Sequence, residues 1–173
     1  MQGKGIAGKT AYAAMLIALS MLLSYVEALL PISVGLPGVK PGLANLVVLT
    51  GLYYMKPGEV LLISGTRILL SAFLFGGLSA LIYSLAGGLL SFGVMLLLKQ
   101  IKGFSVTGVS IAGAVSHNLG QLAVAVAVVE NAKVLYYMPG LMIAGVAAGS
   151  VTGMLAQTCR RYLTSAAGRK DGE

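Results

Sequence analysis

Four polar side chains inside apolar stretches are the residues best suited to chemistry in this sequence. Arg67 lies in the middle of the apolar run 60–75, and a second run carries His117, Asn118 and Gln121. A guanidinium at hydrocarbon depth costs about 2.5 kcal/mol or more, so it needs a compensating environment and is a candidate functional residue. Because a desolvated guanidinium binds carboxylate and phosphate groups in bidentate geometry, we predict an anionic ligand.

Each of these residues also has a purely structural interpretation. Arg67 could pair with Glu27 or with helix-end carbonyls, and Glu27 itself could simply be solvated near the interface. A lone histidine such as His117 is more often a hydrogen-bonded packing residue than a ligand. With Asn118 adjacent and Gln121 one turn later, however, it forms a polar stripe on one helix. The sequence alone leaves both interpretations open.

The sequence lacks the motifs of the common catalytic and metal-binding chemistries. It has no HExxH, no Cys-x-x-Cys and no carboxylate cluster, so we predict neither a catalytic residue nor a metal site. It has no phosphate-binding P-loop, so ATP hydrolysis would belong to partner subunits, and we expect no cofactor. Basic residues interleaved with aromatics on a solvated surface are also absent, which argues against a nucleic-acid partner.

The composition indicates an integral membrane protein. Of 173 residues, 57% are apolar and only 10% are charged. Apolar runs bounded by Pro, Gly and charge predict six transmembrane helices, near residues 8–30, 43–55, 59–76, 79–98, 106–129 and 138–158. These spans leave no room for a soluble catalytic domain. We therefore predict an all-α, single membrane domain, residues 1–173, that ends in a basic tail, residues 159–173.

The distribution of basic residues predicts the orientation in the membrane. One side of the six spans carries Lys4, Lys9, Lys56, Lys99, Lys102, Arg160, Arg161, Arg169 and Lys170, and the other carries only Lys40 and Lys133. Lys and Arg accumulate in cytoplasmic loops, so both termini should face the cytoplasm. The net charge of +7 then follows mainly from topology, and the basic side can also contact anionic headgroups of the lipid bilayer.

This topology predicts a polar cluster in the outer half of the membrane. Arg67 falls near the midplane, whereas Glu27 and Asn45 fall near the outer ends of the first two spans. Above them runs the loop 31–42, which contains Lys40, three prolines and three glycines. The second span is too short to cross alone, so it is either part of a binding region or a short tilted helix. An outward-facing cavity would gather these residues. The predicted substrate-binding residues are Arg67, His117, Asn118, Gln121, Asn45, Glu27 and Lys40.

Small residues at a spacing of four predict close helix contacts. The fifth span presents Gly108, Ala112, Ser116 and Gly120, the sixth presents Gly145, Gly149 and Gly153, and the first presents Ala14 and Ala18. Such ridges let helix backbones approach closely. They predict packing within the chain or, alternatively, against a helical partner.

The chain resembles two known families. Six spans, an Ala-rich first helix and a Pro/Gly-rich outer loop resemble the substrate-binding S component of energy-coupling-factor (ECF) importers. The segments Leu36-Pro-Gly-Val-Lys-Pro-Gly-Leu-Ala-Asn-Leu46 and Ser116-His-Asn-Leu-Gly-Gln121 resemble the bacterial heptaprenyl diphosphate synthase component I family, also called Gx transporter. This second resemblance covers essentially the whole chain. It implies a location in the bacterial inner membrane.

The two resemblances imply different functions. An S component captures a small solute under its first outer loop, and its first helix, here Ala14 and Ala18, docks onto a transmembrane T subunit that two ATPase subunits drive. The synthase label implies a helper subunit for prenyl diphosphate elongation. That catalysis needs Asp-rich motifs such as DDxxD for Mg²⁺, whereas this chain has five acidic residues, no two of them adjacent. We therefore predict a non-catalytic S component, with a membrane scaffold for polyprenyl diphosphate synthesis or a self-contained secondary carrier as alternatives.

Overall fold

Helices form all of the regular structure in the computed structural model, which describes residues 6–29 and 43–168. No strand occurs in those ranges. The α-helices are α1 Ile6–Leu29, α2 Leu43–Tyr54, α3 Pro57–Ser71, α4 Gly77–Gln100, α5 Val106–Val129 and α6 Met138–Gly168. A π-helical turn, Ala72–Gly76, joins α3 to α4, and a 3₁₀ turn, Ala132–Tyr137, leads into α6. The prediction of an all-α protein with six helices is confirmed.

Four helical segments are long and apolar enough to cross a membrane: Pro57–Leu74, Gly77–Gln100, Val106–Val129 and Ala132–Arg161. Two shorter apolar helices accompany them, Thr10–Val26 and Ala44–Tyr54. Large apolar side chains such as Phe73, which is 90% exposed, and Ile143 cover the outside of the bundle. Such a surface suits lipid rather than water, as expected for an all-α membrane protein.

The last helix is longer than the predicted span. The apolar run ends near residue 158, but α6 continues to Gly168. Residues 159–168 contain no proline, so nothing in the backbone stops the helix where the hydrocarbon would end. The first ten residues of the predicted basic tail are therefore helical.

Short α2 lies inside the bundle. Leu49 and Leu52 are fully buried, and with Val48 they form a core with residues of four other helices, Val60, Phe92, Met95, Val106, Val109 and Ala156. Several of these residues lie near the α2–α3 and α4–α5 turns, so the apolar core occupies that end of the molecule. The polar residues of the candidate site lie farther from this end.

The glycine ridge of α6 packs against α5. A Cβ added at Gly149 would lie 2.6 Å from the Ile111 Cα, and one added at Gly153 would lie 2.7 Å from the Thr107 Cα. Only a residue without a side chain fits such approaches. For α6, the small-residue ridge thus serves packing within the chain, one of the two predicted alternatives.

We expect Gly149→Ala to destabilise the protein, because the added methyl group would meet the α5 backbone. Overpacking of this kind costs about 1–3 kcal/mol. The matched control is Gly93→Ala in α4, where an added Cβ meets nothing within 4 Å. There the higher helix propensity of alanine should leave stability unchanged or slightly raised. Thermal unfolding in detergent measures both variants, and equal midpoints would contradict the proposed close contact.

Candidate functional site

Arg67 lies in the middle of its membrane-crossing segment. It is about 15 Å along the helix axis from Pro57, and the helical stretch continues through the π-helical turn to Gly76. Its Nη1 donates a hydrogen bond of 3.3 Å to the Oγ of Ser24 in α1, and the contact is partly buried. The guanidinium therefore has a polar neighbour on another helix at this depth. Ser24 is not among the predicted site residues.

Serines accompany Arg67 at the contact between α1 and α3. Ser64 and Ser71 lie one turn before and one turn after Arg67 in α3, and Ser20 lies one turn before Ser24 in α1. Ser20 is fully buried and Ser64 nearly so. We call these five residues, Ser20, Ser24, Ser64, Arg67 and Ser71, the serine seam.

Two hydroxyls of the serine seam have hydrogen-bonding capacity that the described part of the protein does not use. The Oγ atoms of Ser20 and Ser71 are buried and have no hydrogen-bond partner among residues 6–29 and 43–168. Ser116 behaves differently, since its Oγ donates to the carbonyls of Ala112 and Gly113 in its own helix. Buried hydroxyls are nearly always bonded, so those of Ser20 and Ser71 suit a small polar ligand or water beside Arg67.

Asn45 lies in the first turn of α2, at about the same level of the bundle as Arg67. The α2–α3 hairpin turns at Met55 and Lys56, and a Cβ added at Gly51 would lie 3.3 Å from Val60 Cγ2. Because Gly51 faces Val60, Asn45 lies at the same height as Arg67 along the bundle axis, about 14 Å from the turn. The reason is the length of α2, which has only 12 residues and ends at the α2–α3 turn. Asn45 is half-buried.

His117 and Gln121 contact α4 at a glycine. A Cβ added at Gly87 would lie 2.8 Å from the His117 carbonyl oxygen, 3.0 Å from His117 Cε1 and 3.0 Å from Gln121 Cγ. At the adjacent Gly88, an added Cβ would lie 2.8 Å from the Cδ1 of Ile68, which follows Arg67. The glycine pair of α4 therefore lies between the Arg67 region of α3 and the polar stripe of α5. Gly87, Gly88 and His117 lie near the middle of α4 and α5.

Asn118 contacts a different helix from its neighbour His117. Its Nδ2 donates a 2.8 Å hydrogen bond to the Leu141 carbonyl in α6. A Cβ added at Gly145 would lie 3.1 Å from that Nδ2, so Gly145 makes room for the amide. The contact joins α5 to α6. Asn118 thus has a structural role besides its predicted place among the substrate-binding residues.

The structure does not describe the side chains of the other two predicted site residues. Lys40 and the loop 31–42 lie outside the described residues. Glu27 belongs to α1, but its side chain lies outside the description. The pairing of Arg67 with Glu27 therefore stays a prediction.

The predicted docking residues lie on an exposed surface. Ala14 and Ala18 are exposed, and α1 packs against α2 and α3. Exposure is what a docking face requires, but the docking role itself stays a prediction. Within the described ranges, no group of three or more His, Cys, Asp or Glu residues could hold a metal ion.

Some of the site was missed by sequence reasoning. Ser20 and Ser24 are spaced by four residues in an otherwise apolar helix, and that spacing could have indicated a polar stripe facing another span. The sequence around Gly87 and Gly88 contains no spacing that would indicate their contacts with α3 and α5. Their role depends on which helices α4 contacts, and the helix sequence alone does not specify its neighbours.

We expect Asn118→Ala to lower stability. The substitution removes the hydrogen bond to Leu141, and polar contacts between membrane helices contribute about 0.6 kcal/mol on average and up to about 1.7. Thermal or denaturant unfolding in detergent, with Gly93→Ala as the reference variant, measures the effect. A wild-type unfolding midpoint for Asn118→Ala would contradict the structural role.

Comparison with known proteins identifies a family. No curated protein and no solved structure matches the chain. A family model described as heptaprenyl diphosphate synthase component I matches residues 16–159, from α1 to α6. The matched region includes the serine seam and the polar stripe of α5, and the match confirms the second resemblance predicted from the sequence. The chain therefore belongs to the heptaprenyl diphosphate synthase component I family.

Proposed function

We propose that this chain is a substrate-binding membrane subunit, an S component, of an ECF-type importer. In this proposal it captures a small anionic solute from the outer side of the bacterial inner membrane. The observation that carries the proposal is the mid-membrane guanidinium of Arg67 in the serine seam. A charge at this depth is a functional residue by default, and buried hydroxyls beside it are a reason to expect a ligand.

The chemistry of the serine seam favours an anion. A guanidinium can only donate hydrogen bonds, and a serine hydroxyl can donate one. A carboxylate or phosphate offers several acceptor oxygens to such a set, and hydrogen bonds to a charged group are about twice as strong as neutral ones. A cationic solute would be repelled by Arg67. Asn45, at the same level, adds an amide that can donate or accept.

The proposed energy source lies in partner subunits. The sequence has no P-loop, so inward release would depend on a T subunit and two ATPase subunits. The exposed small side chains of Ala14 and Ala18 suit close packing with helices of such a T subunit. The distribution of basic residues supports termini that face the cytoplasm.

A second function is supported by the family itself. Its description names a component of a heptaprenyl diphosphate synthase, which favours a membrane subunit or scaffold for polyprenyl diphosphate synthesis. The chain lacks the Asp-rich motif of the catalytic subunit, so this role would be non-catalytic. A prenyl diphosphate is also an anion, so the Arg67 chemistry does not separate the two functions. The identity of the partner proteins distinguishes the two functions.

We expect gentle affinity purification from the native host to recover a T subunit and two ATPases with the chain. Mass spectrometry identifies the co-purified proteins. Recovery of a soluble prenyltransferase in their place would contradict the importer and support the scaffold. Recovery of the chain alone, with solute uptake retained in vesicles, would instead indicate a self-contained carrier.

We expect Arg67→Gln to lose the small molecule that the wild-type protein retains on purification. The lost charged hydrogen bonds correspond to about 1.5–3 kcal/mol, or roughly a ten- to hundredfold increase in Kd. Mass spectrometry of extracted small molecules, followed by titration with the molecule identified, measures this. Lys133→Gln removes an exposed cation elsewhere and should retain the ligand. If Arg67→Gln retains it equally, Arg67 is not part of the binding site.

A further inference from the structure

A group of cations and aromatics lies at the end of the bundle that contains the α2–α3 and α4–α5 turns. The Nζ of Lys99 lies 5.4 Å from the ring centroid of Tyr53, and the Cζ of Arg160 lies 5.0 Å from the same centroid. Both distances are within cation–π range. Three helices thus meet at one ring: α2 supplies Tyr53, α4 supplies Lys99 and α6 supplies Arg160.

Backbone contacts hold this group in place. Lys99 Nζ donates to the Leu52 carbonyl, one of the last carbonyls of α2, where a cation also complements the helix dipole. Tyr54 Oη donates a 3.3 Å hydrogen bond to the Arg160 carbonyl. The Lys99 ammonium has three N–H donors, and the contact with Leu52 engages one of them. We call Tyr53, Lys99 and Arg160 the basic cradle.

The two cations of the basic cradle share one aromatic contact. Because both lie against the Tyr53 ring, their separation cannot exceed the sum of the two centroid distances, which is comparable to the Debye length of about 8–10 Å in physiological salt. At that range the two charges add to one positive potential, which attracts anions. An anion near Lys99 and Arg160 would interact favourably with both.

The surface around the basic cradle is also positively charged. The described basic side chains at this end are Lys56, Lys99, Lys102, Arg160 and Arg161. The carboxylate described there is that of Glu59, which accepts a hydrogen bond from the Lys56 backbone at the start of α3. The excess of positive charge makes this surface complementary to anions.

The depth of the basic cradle coincides with the headgroup region. Lys99 is about 33 Å along α4 from Gly77, and Arg160 is about 33 Å along α6 from Met138. The hydrocarbon core of a bilayer is about 30 Å thick, so both cations reach its boundary together. Exposed apolar side chains precede them on the same helices, Leu97 on α4 and Met154 and Leu155 on α6. Acyl chains can contact those side chains.

We propose that the basic cradle binds the phosphate of an anionic phospholipid headgroup. The guanidinium and the ammonium donate to phosphate oxygens, and the acyl chains lie along the exposed apolar surfaces of α4 and α6. A phosphate free of acyl chains would gain the charge contacts but not the apolar ones. The bound lipid would join α2, α4 and α6 at this end of the bundle and stabilise their packing.

Thermal unfolding of the whole protein in neutral detergent tests this proposal. Added phosphatidylglycerol should raise the unfolding midpoint of the wild type by about 2–4 °C for each 1 kcal/mol by which its binding stabilises the folded state. Phosphatidylcholine should not raise it. Arg160→Gln should lose most of this shift. Because Tyr54 bonds the backbone carbonyl of Arg160, that variant keeps the α2–α6 hydrogen bond.

Two control variants distinguish a specific lipid site at the basic cradle from the general positive charge of this end of the bundle. Lys102→Gln removes a cation at the same end, and Lys133→Gln removes one beyond α5; both should retain the phosphatidylglycerol shift. Lys99→Gln also removes a contact with the α2 backbone, so Arg160→Gln is the deciding variant. An equal loss in Lys102→Gln would overturn the basic cradle in favour of diffuse charge. An equal shift with inorganic phosphate or glycerol phosphate would overturn the lipid assignment.

Discussion

The close approach of α5 to α4 and α6 is the interaction on which the rest of the structure depends. In lipid, apolar side chains gain little by leaving the solvent, so helix association relies on packing and on polar contacts between helices. Glycines at the contacts bring the α5 backbone near both neighbours, through Gly87 and Gly120 on one side and Gly149 on the other. Because these contacts fix the rotation of α5, they also decide that His117 faces α4 while Asn118 faces α6.

The bundle separates apolar from polar packing along its axis. The fully buried Leu52 and its partners fill the end at the α2–α3 turn, where Lys99 contacts the end of α2. Arg67 and His117 lie farther along, and Asn45 lies in the first turn of α2, at the opposite end of that helix from the α2–α3 turn. The large buried apolar side chains thus lie at one end of the bundle, and these polar residues lie farther from that end.

The sequence predicted the helices well because membrane helices are governed by length, apolarity and breaking residues. It also placed Arg67 in the middle of a membrane-crossing helix, and it predicted that the α6 ridge packs against another helix, of this chain or of a partner. It did not predict that Asn45 lies level with Arg67, which depends on how far the short α2 extends from its turn. Nor did it divide the polar stripe of α5 between two neighbouring helices. Both of these depend on helix rotation and register, and those arise from contacts between segments distant in sequence.

The position of α1 has a consequence for communication between two surfaces. One face of this helix contacts Arg67 through Ser24, whereas another face carries the exposed Ala14 and Ala18. A molecule that binds at Arg67 more tightly in one position of α1 than in another shifts the helix toward that position. By thermodynamic reciprocity, a partner that displaces α1 changes the affinity for that molecule by the same factor. A single rigid helix can therefore couple occupancy of the serine seam to events at the protein surface.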